Sequence, residues 1–296
     1  MGGDWQLRLP ESNPDRRAAA RKAVQGTLDL VDAQMSTWRP TSALCQVNAA
    51  PLRHWIDLPD EMAFVVASGL ALMRKMPDAF SILLGGASAR YGFVPGRACG
   101  VATATDAVEF DGHRIRRLVD VALDLNSIAK GFAADLAAQA LASLGLSDFL
   151  VEISGDIVAR GVRPGGSPWT VALELPIPDR IVPVRLIPLA DMAIATSGGY
   201  RRARGERSHL ISPADGRPLP ACGASVAVLA PTAMEADGWA TALAVLGPEV
   251  GLAVAESLDL AAAFIQPDPP EGFIESGSSA IAALQTGQAS MVGAIR

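Results

Sequence analysis

The sequence is poor in cysteine, since only Cys45, Cys99 and Cys222 occur in 296 residues, far apart and without a C-x-x-C pair. An odd and scattered set of this kind excludes a disulfide framework and a structural zinc site, both of which need paired or clustered thiols. The shortage fits a reducing compartment and is also compatible with a periplasm. Cysteine chemistry is therefore not where the function is expected.

The sequence also lacks any block of like charge, although its net charge is −6. Nucleic-acid binding relies on clustered Lys and Arg, so this distribution argues against DNA or RNA as the main partner. Long apolar runs are missing as well, because none approaches the roughly 18 residues that a membrane span needs. We therefore predict no nucleic-acid partner and no membrane span in this chain.

The N-terminal stretch MGGDWQLRLPESNPDRR has no apolar segment of the signal-peptide type. The chain as given is therefore expected in the cytoplasm. If a leader preceded this stretch and was removed, the periplasm would be the expected location.

Apolar periodicity predicts an α+β fold with mainly antiparallel sheets and packed helices. Helices are predicted over 15–35, 59–75 and 127–145, the last with a stripe of Ile128, Phe132, Leu136, Ala140 and Leu144. Strands are predicted over 5–9, 149–161, 169–175, 182–189, 192–198, 224–231 and 260–267. A hairpin with an Asp-Gly turn is predicted over 108–118, and residues 77–96 are predicted as a glycine-rich loop. No long linker divides the chain, so residues 1–296 are expected to form a single domain.

A further helix is predicted from Thr232, which forms a T-x-x-E capping box with Glu235 and precedes a stop at Gly247-Pro248. Asp237 and Thr241 are four residues apart on it and share one face. A carboxylate and a hydroxyl at one point suit a hard cation such as Mg²⁺. The simpler alternative is a carboxylate near a helix end and a threonine bonded back to a carbonyl.

Other stretches carry groups with chemical potential. Asp124 precedes a predicted helix start, and Lys130 lies in the first turns, an arrangement suited to phosphate, although a surface lysine is the simpler reading. In EISGD, Gly155 allows the backbone to approach a ligand closely. His209 lies beside a Gly/Pro-rich turn and is either structural or catalytic, while His54 and His113 are expected to be structural.

Taken together, six ordered motifs resemble one family, the ApbE family of FAD:protein FMN transferases, once described as thiamine biosynthesis lipoproteins. The motifs are MGGDWQLRL (1–9), MSTWRPTSALCQVN (35–48), DLNSIAKGFAAD (124–135), FLVEISGDIVARG (149–161), ATSGGYRR…RSHLISPADGRPL (195–219) and SVAVLAPTAMEADGWATALAVLGPEVGL (225–252). Their order along nearly the whole chain makes coincidence a poor explanation. The resemblance implies a two-lobed, T-fold-like single domain.

The resemblance also implies an activity: Mg²⁺-dependent transfer of FMN from FAD to a threonine hydroxyl of an acceptor protein, with release of AMP. By this resemblance, the Mg²⁺ ligands are the side chains of Asp237 and Thr241 and the backbone carbonyl of Ser127. Asp237 and His209 match catalytic positions, with His209 as general base or charge stabiliser. The residues that match FAD-contacting positions are Met1, Trp38, Ala79, Phe80, Ser81, Asp124, Lys130 and Ile211.

The sequence departs from the family pattern at several loop positions. Ser81, Ser212 and Gly199 replace aspartates, and Asp215 replaces a threonine. These departures keep two alternatives open: an FAD pyrophosphatase that gives FMN and AMP, and a non-catalytic FAD-binding protein. The acceptor is expected to carry a Ser/Thr-Gly-Ala-Thr-like stretch, which this chain does not contain.

Overall fold

The computed structural model describes residues 4–102, 104–177, 180–221, 223–269 and 272–283. Its α-helices are α1 (Pro14–Met35), α2 (Ala43–Ala49), α3 (Asp60–Lys75), α4 (Gly85–Arg90), α5 (Ala129–Ser143) and α6 (Ala233–Ser257). The strands are β1 (Trp5–Arg8), β2 (Ile56–Asp57), β3 (Val108–Phe110), β4 (Arg114–Arg117), β5 (Phe149–Ile153), β6 (Asp156–Arg160), β7 (Trp169–Glu174), β8 (Pro183–Leu189), β9 (Ala193–Gly198), β10 (Ala203–Arg204), β11 (Arg207–Ile211), β12 (Pro218–Pro220), β13 (Ser225–Ala230), β14 (Ala261–Asp268) and β15 (Gly272–Gly277). A short 3-10 turn covers Thr105–Ala107.

The central element is a seven-stranded sheet with the order β1-β5-β6-β9-β13-β14-β15, in which neighbouring strands run antiparallel. Three smaller sheets accompany it: β10-β11-β12, β2-β4-β3 and the hairpin β7-β8. The prediction of an α+β fold with mainly antiparallel sheets is confirmed.

The two faces of the central sheet are covered differently. Val151 and Val158 belong to the core shared with the helices, whereas Leu150 and Ile157 pack in a second core with the β7-β8 hairpin. Because successive side chains of a strand point to opposite faces, each central strand supplies both cores. Helices α5 and α6 therefore lie on one face and the hairpin lies on the other.

Helices α5 and α6 approach so closely that their contact depends on a glycine. A Cβ atom built on Gly131 would lie 2.1 Å from the carbonyl oxygen of Ala233, far inside van der Waals contact. The same crossing is fixed by Asp135, whose carboxylate accepts hydrogen bonds from the N–H groups of Ala233 (2.8 Å) and Met234 (2.9 Å). These bonds satisfy otherwise unpaired donors in the first turn of α6. The start of α6 is thus held against the first half of α5.

Several predicted elements are confirmed with their boundary signals. Helix α1, helix α3 and the 108–118 hairpin occur where the periodicity places them, with Gly112 of the Asp-Gly turn at φ 103°. The hydroxyl of Thr232 accepts a hydrogen bond from the N–H of Glu235 at 3.2 Å, as the capping box predicts. The chain breaks out of helical geometry at Gly247 (φ 77°), so α6 consists of two helical pieces.

Three predictions of local structure are wrong in part. Residues 149–161 form two paired strands rather than one, because Ser154 and Gly155 both adopt positive φ and turn the chain back. The predicted loop 77–96 contains helix α4, whose Gly85 and Gly86 lie so close to backbone that larger side chains would not fit. The predicted stripe on α5 is only partly buried, because Phe132 is buried but Leu144 is 43% exposed. Most of the buried residues of α5 are alanines (Ala129, Ala133, Ala134, Ala137, Ala138).

Helix α6 corrects the statement that no long apolar run exists. By length and composition, Ala233–Ser257 passes the test for a membrane-spanning helix, and it is the single helix of the described residues to do so. Core helices of ordinary domains pass the same test, and α6 packs on strands β9, β13 and β14. Its apolar character is therefore explained by its place against the sheet.

Candidate active site

One cleft of about 1000 Å³ lies where the ends of β5, β9 and β11 meet the first turns of α5 and α6. It brings together residues that are far apart in the sequence. The predicted site residues that line it are Trp38, Ala79, Phe80, Ser81, Asp124, Ser127, Lys130, His209, Ile211, Asp237 and Thr241. Met1 lies outside the described residues. The motifs therefore converge on one cavity.

A buried ion cluster lies in the cleft. The Lys130 ammonium donates to Oδ2 of Asp156 at 2.8 Å and to Oδ1 of Asp237 at 2.9 Å. The other oxygen of Asp237 accepts a hydrogen bond from the N–H of Gly131 at 3.2 Å. The Asp156 and Asp237 side chains are only 1% and 2% exposed, whereas Lys130 is 24% exposed. Lys130 is thus the most accessible member of the cluster.

The electrostatics of this cluster follow from its burial. Desolvation and the neighbouring Asp237 carboxylate raise the pKa of Asp156 well above its usual range, with Lys130 acting in the opposite direction. Burial tends to lower the pKa of Lys130, but the two carboxylates outweigh it and raise that pKa. Two buried carboxylates share the Lys130 ammonium, so the cluster has an excess of negative charge when all three groups are ionised.

Thr241 lies one helical turn beyond Asp237 in α6, as their spacing requires. Its hydroxyl oxygen is 3.3 Å from the hydroxyl oxygen of Ser197, which projects from β9 toward the helix. Both hydroxyls line the cleft, as does Ser127 in the turn before α5. Within the described ranges, no group of three or more His, Cys, Asp or Glu side chains forms a metal site. Any cation here would rely on Asp237 together with hydroxyl and carbonyl oxygens, a donor set that suits Mg²⁺.

His209 projects from β11 into the same cleft. Its backbone N–H donates to the carbonyl of Arg202 at 3.1 Å, and its buried Nδ1 has no hydrogen-bond partner among the described residues. Burial, followed by the positive charges of Arg202 and Lys130, lowers the pKa of His209 to about 4. The imidazole is therefore neutral near pH 7 and has a lone pair available to accept a proton.

The segment Ala79-Phe80-Ser81 forms a buried part of the cleft wall. The Ser81 hydroxyl donates to the carbonyl of Ala102 at 2.8 Å and accepts from the N–H of Leu83 at 3.0 Å. This serine therefore fixes the local chain path. Trp38, by contrast, is 60% exposed at the cleft and offers an open aromatic face. Ile211 is buried in a small cluster with Ala87 and Phe93.

The turn before α5 is organised by Asp124. Its carboxylate accepts hydrogen bonds from the backbone N–H of Asn126 (3.0 Å) and from that residue's side-chain amide (2.6 Å). The preceding strand-like segment is tied to α2 by Asn48, whose side-chain amide exchanges two hydrogen bonds with the backbone of Leu123. These bonds place Ser127 and Lys130 beside the cluster.

Three residues of the site region escaped the sequence analysis. Asp156 lies in the EISGD stretch, where the pattern indicated only Gly155, because a single carboxylate gives no signal of burial. Ser197 lies in ATSGGY, and Asp135 closes the DLNSIAKGFAAD motif. The usable signal for Asp156 was its position directly after a Ser-Gly pair, where a hairpin turn returns the chain to the sheet.

The sequence pattern of the ApbE family matches residues 1–265, and the chain belongs to this family. It is an enzyme of the FAD:protein FMN transferase kind. The FAD:protein FMN transferase of Klebsiella pneumoniae (strain 342) is 33% identical to it, over 92% of this chain and 84% of the relative. The enzyme of the same name from Escherichia coli (strain K12) is 31% identical, over 84% of this chain and 77% of the relative.

Solved structures give the same result for the fold. The apo form of the Pseudomonas stutzeri flavinyl transferase ApbE superposes with a TM-score of 0.82 at 32% identity, covering 96% of this chain and 94% of that one. The flavin transferase ApbE from Vibrio cholerae superposes with a TM-score of 0.83 at 30% identity, covering 96% of both chains.

Proposed function

We propose that this protein transfers FMN from FAD to a threonine hydroxyl of an acceptor protein and releases AMP, with Mg²⁺ at the Asp237 cluster. The observation that carries the proposal is the buried pair of carboxylates, Asp156 and Asp237, which Lys130 bridges beside the cleft that Lys130 and Asp237 line. Two buried carboxylates that share one ammonium have an excess of negative charge when all three groups are ionised, and this suits a divalent cation and, through it, the pyrophosphate of FAD.

The residues that would hold Mg²⁺ are Asp237, Thr241 and the carbonyl of Ser127. All three line the cleft, and Asp237 and Thr241 lie one turn apart on a helix whose start is fixed by Asp135. When bound, the cation neutralises charge on the pyrophosphate. The rigid α5-α6 crossing holds these oxygens in place, and such preorganisation is what phosphoryl transfer asks of a protein.

His209 is proposed to take the proton from the acceptor threonine. As the threonine oxygen forms its bond to the FMN phosphorus, the bond from that phosphorus to the bridging oxygen breaks, and AMP leaves. The lowered pKa of His209, about 4, keeps the imidazole in the neutral form that accepts a proton. Its buried Nδ1 has no hydrogen-bond partner among the described residues, so this nitrogen is available to accept the proton.

The remaining residues are proposed to bind FAD. Lys130 reaches the cleft with an ammonium group that suits phosphate, and the exposed Trp38 ring offers a stacking surface to a planar ring system. Ala79, Phe80, Ser81 and Ile211 provide buried wall. Ser81 already uses its hydroxyl to fix the chain path, so its proposed contact is through shape and backbone.

The experiment is incubation of the pure protein with FAD and an acceptor domain that carries a Ser/Thr-Gly-Ala-Thr-like motif, with and without Mg²⁺. AMP and the mass of the acceptor are measured together. The expected result is Mg²⁺-dependent AMP with an FMN-sized mass gain, and no mass gain when the motif threonine is replaced by valine.

Two other outcomes correspond to the alternative functions. AMP and free FMN without any acceptor gain would indicate a pyrophosphatase that uses water. FAD binding without AMP would indicate a flavin-binding protein whose cleft no longer supports catalysis. Either outcome would contradict the proposed transfer.

A further inference from the structure

The Lys130 ammonium already contacts the carboxylate that the proposed Mg²⁺ would bind. Its ammonium lies within 2.9 Å of Oδ1 of Asp237, the proposed Mg²⁺ ligand, and the remaining oxygen of that carboxylate is bonded to the N–H of Gly131. A divalent cation that takes Asp237 must therefore compete with a charge-assisted hydrogen bond.

The second carboxylate gives the ammonium another partner. Asp156 lies on β6, whereas Asp237 lies on α6, and Lys130 of α5 bridges the two elements. Asp156 is 1% exposed, and the Lys130 contact at 2.8 Å is the charged interaction that compensates its burial. A buried carboxylate without a partner is strongly unfavourable, so Asp156 holds Lys130 in the cleft even when Asp237 is engaged elsewhere.

We propose that Lys130 is the resident cation of this site, which a divalent ion displaces from Asp237, and that Asp156 is the positioning residue that retains the displaced ammonium. The inference rests on the proposed function in one respect, that Asp237 is a metal ligand. It adds that competition between Lys130 and the metal ion for Asp237 sets the metal affinity. It also assigns a role to Asp156, which the motifs did not single out. The retained ammonium then remains at the cleft, where it can face a phosphate group.

The test measures direct binding of Mn²⁺, a paramagnetic substitute for Mg²⁺, to the full chain in the absence of FAD. Electron paramagnetic resonance reports the free and bound Mn²⁺. Removing the competitor in Lys130→Met is expected to tighten Mn²⁺ binding about tenfold. Asp156→Asn leaves Lys130 to Asp237 alone and is expected to weaken binding about tenfold, the size of effect seen for residues behind metal ligands.

Two controls separate competition from general electrostatics. Arg202 also lines the cleft and, among the described residues, does not form an ion pair with Asp237, so Arg202→Met is expected to change the Mn²⁺ dissociation constant much less than Lys130→Met. Asp156→Asn is expected to raise the Mn²⁺ dissociation constant by a smaller factor in the Lys130→Met background than in the wild type. The two factors are expected to differ at least about threefold, because the effect of Asp156 acts partly through Lys130.

Stability provides a second readout. Lys130→Met leaves two buried carboxylates without their ammonium, so the metal-free variant is expected to have a lower melting temperature than the wild type. Mn²⁺ is expected to raise the melting temperature of the variant by more than it raises that of the wild type. If Lys130→Met does not fold, Lys130→Gln keeps hydrogen-bond donors without charge and replaces it in the same comparison.

The outcomes distinguish the inference from the proposed function. Mn²⁺ that binds the wild type, Lys130→Met and Asp156→Asn equally would overturn the competition and leave the metal site standing. Equal losses from Asp156→Asn in both backgrounds would make Asp156 a direct contributor and overturn its positioning role. Absence of Mn²⁺ binding in the wild type and in both Lys130 variants would contradict the proposed function and the inference together.

Discussion

At the scale of single residues, the surroundings of Asp237 compensate the burial of a carboxylate. Its carboxylate is almost inaccessible to solvent, so both of its oxygens need polar partners within the protein. The Lys130 ammonium donates a hydrogen bond to one oxygen, and the Gly131 N–H donates to the other. These hydrogen bonds replace the solvation that the carboxylate loses on burial.

The first prediction concerns Asp237→Asn. The amide keeps the shape of the side chain but removes its charge, so metal-dependent AMP release is expected to fall on the order of 10³-fold. Glu235→Gln is the matched control, since Glu235 is exposed on the same helix and its change is expected to leave the rate near that of the wild type. Full activity of Asp237→Asn at limiting Mg²⁺ would remove Asp237 from the metal site.

The second prediction concerns His209 and pH. Because the pKa of His209 is lowered to about 4, the neutral base is present from neutral pH down to about pH 4, and the rate is expected to fall below that value as the ring is protonated. His209→Gln is expected to reduce FMN transfer about 10²- to 10⁴-fold and to abolish this acidic limb. An acidic limb that persists unchanged in the variant would assign the titration to another group.

At the scale of elements, the close crossing of α5 and α6 positions the site. Lys130 and Asp237 meet because Gly131 admits the Ala233 carbonyl and Asp135 binds the first N–H groups of α6. The chemistry of the cluster therefore depends on a packing contact between two helix starts.

The third prediction tests this crossing with two glycines in helices. Gly131→Ala is expected to destabilise the protein by about 1–3 kcal/mol or more, because its Cβ would overlap the Ala233 carbonyl. Gly26→Ala in α1, where a Cβ meets nothing within 4 Å, is expected to stabilise it by about 0.5–1 kcal/mol. Denaturant unfolding of both variants measures the difference. Equal stability of the two variants would contradict the role of Gly131.

The elements also show how far sequence patterns reach. Helices with strong periodicity and caps, such as α1 and the first part of α6, were predictable, because their signals are local. The turn at Ser154-Gly155 was not predicted, because a non-glycine residue at positive φ leaves little trace in a sequence. Asp156 was missed for a different reason, since its partner Lys130 lies 26 residues away and only the tertiary contact reveals it.

The alanine face of α5 is a related case. Of the predicted stripe, Ile128 and Phe132 are buried but Leu144 is exposed. Alanines fill most of the interior face of α5, because this helix is packed tightly between α1, α6 and the sheet. Side-chain size in a helix is set by the distance to its neighbours, which periodicity does not encode. The family motifs, by contrast, led to residues that all line one cleft wherever the structure describes them.

At the scale of the whole molecule, the buried His209 couples folding to pH. Its pKa is about 4 in the folded chain and near 6.5 when unfolded, so between these values the unfolded chain binds the additional proton. The fourth prediction is that the wild type loses on the order of 3 kcal/mol of stability relative to His209→Gln as the pH falls from 6.5 to 4. Parallel pH profiles of the two proteins would contradict this coupling.

The pairing of β1 with β5 has a consequence for synthesis on the ribosome. Residues 5–8 leave the exit tunnel early, but their partners are residues 150–153. At roughly 5–20 residues per second, the first strand waits on the order of 10 s or more before its partner is made. During that time the side chains of Trp5 and Leu7 have no neighbouring strand to pack against and are open to non-native contacts. The central sheet, and with it the cleft, is therefore completed only after its later strands have been made.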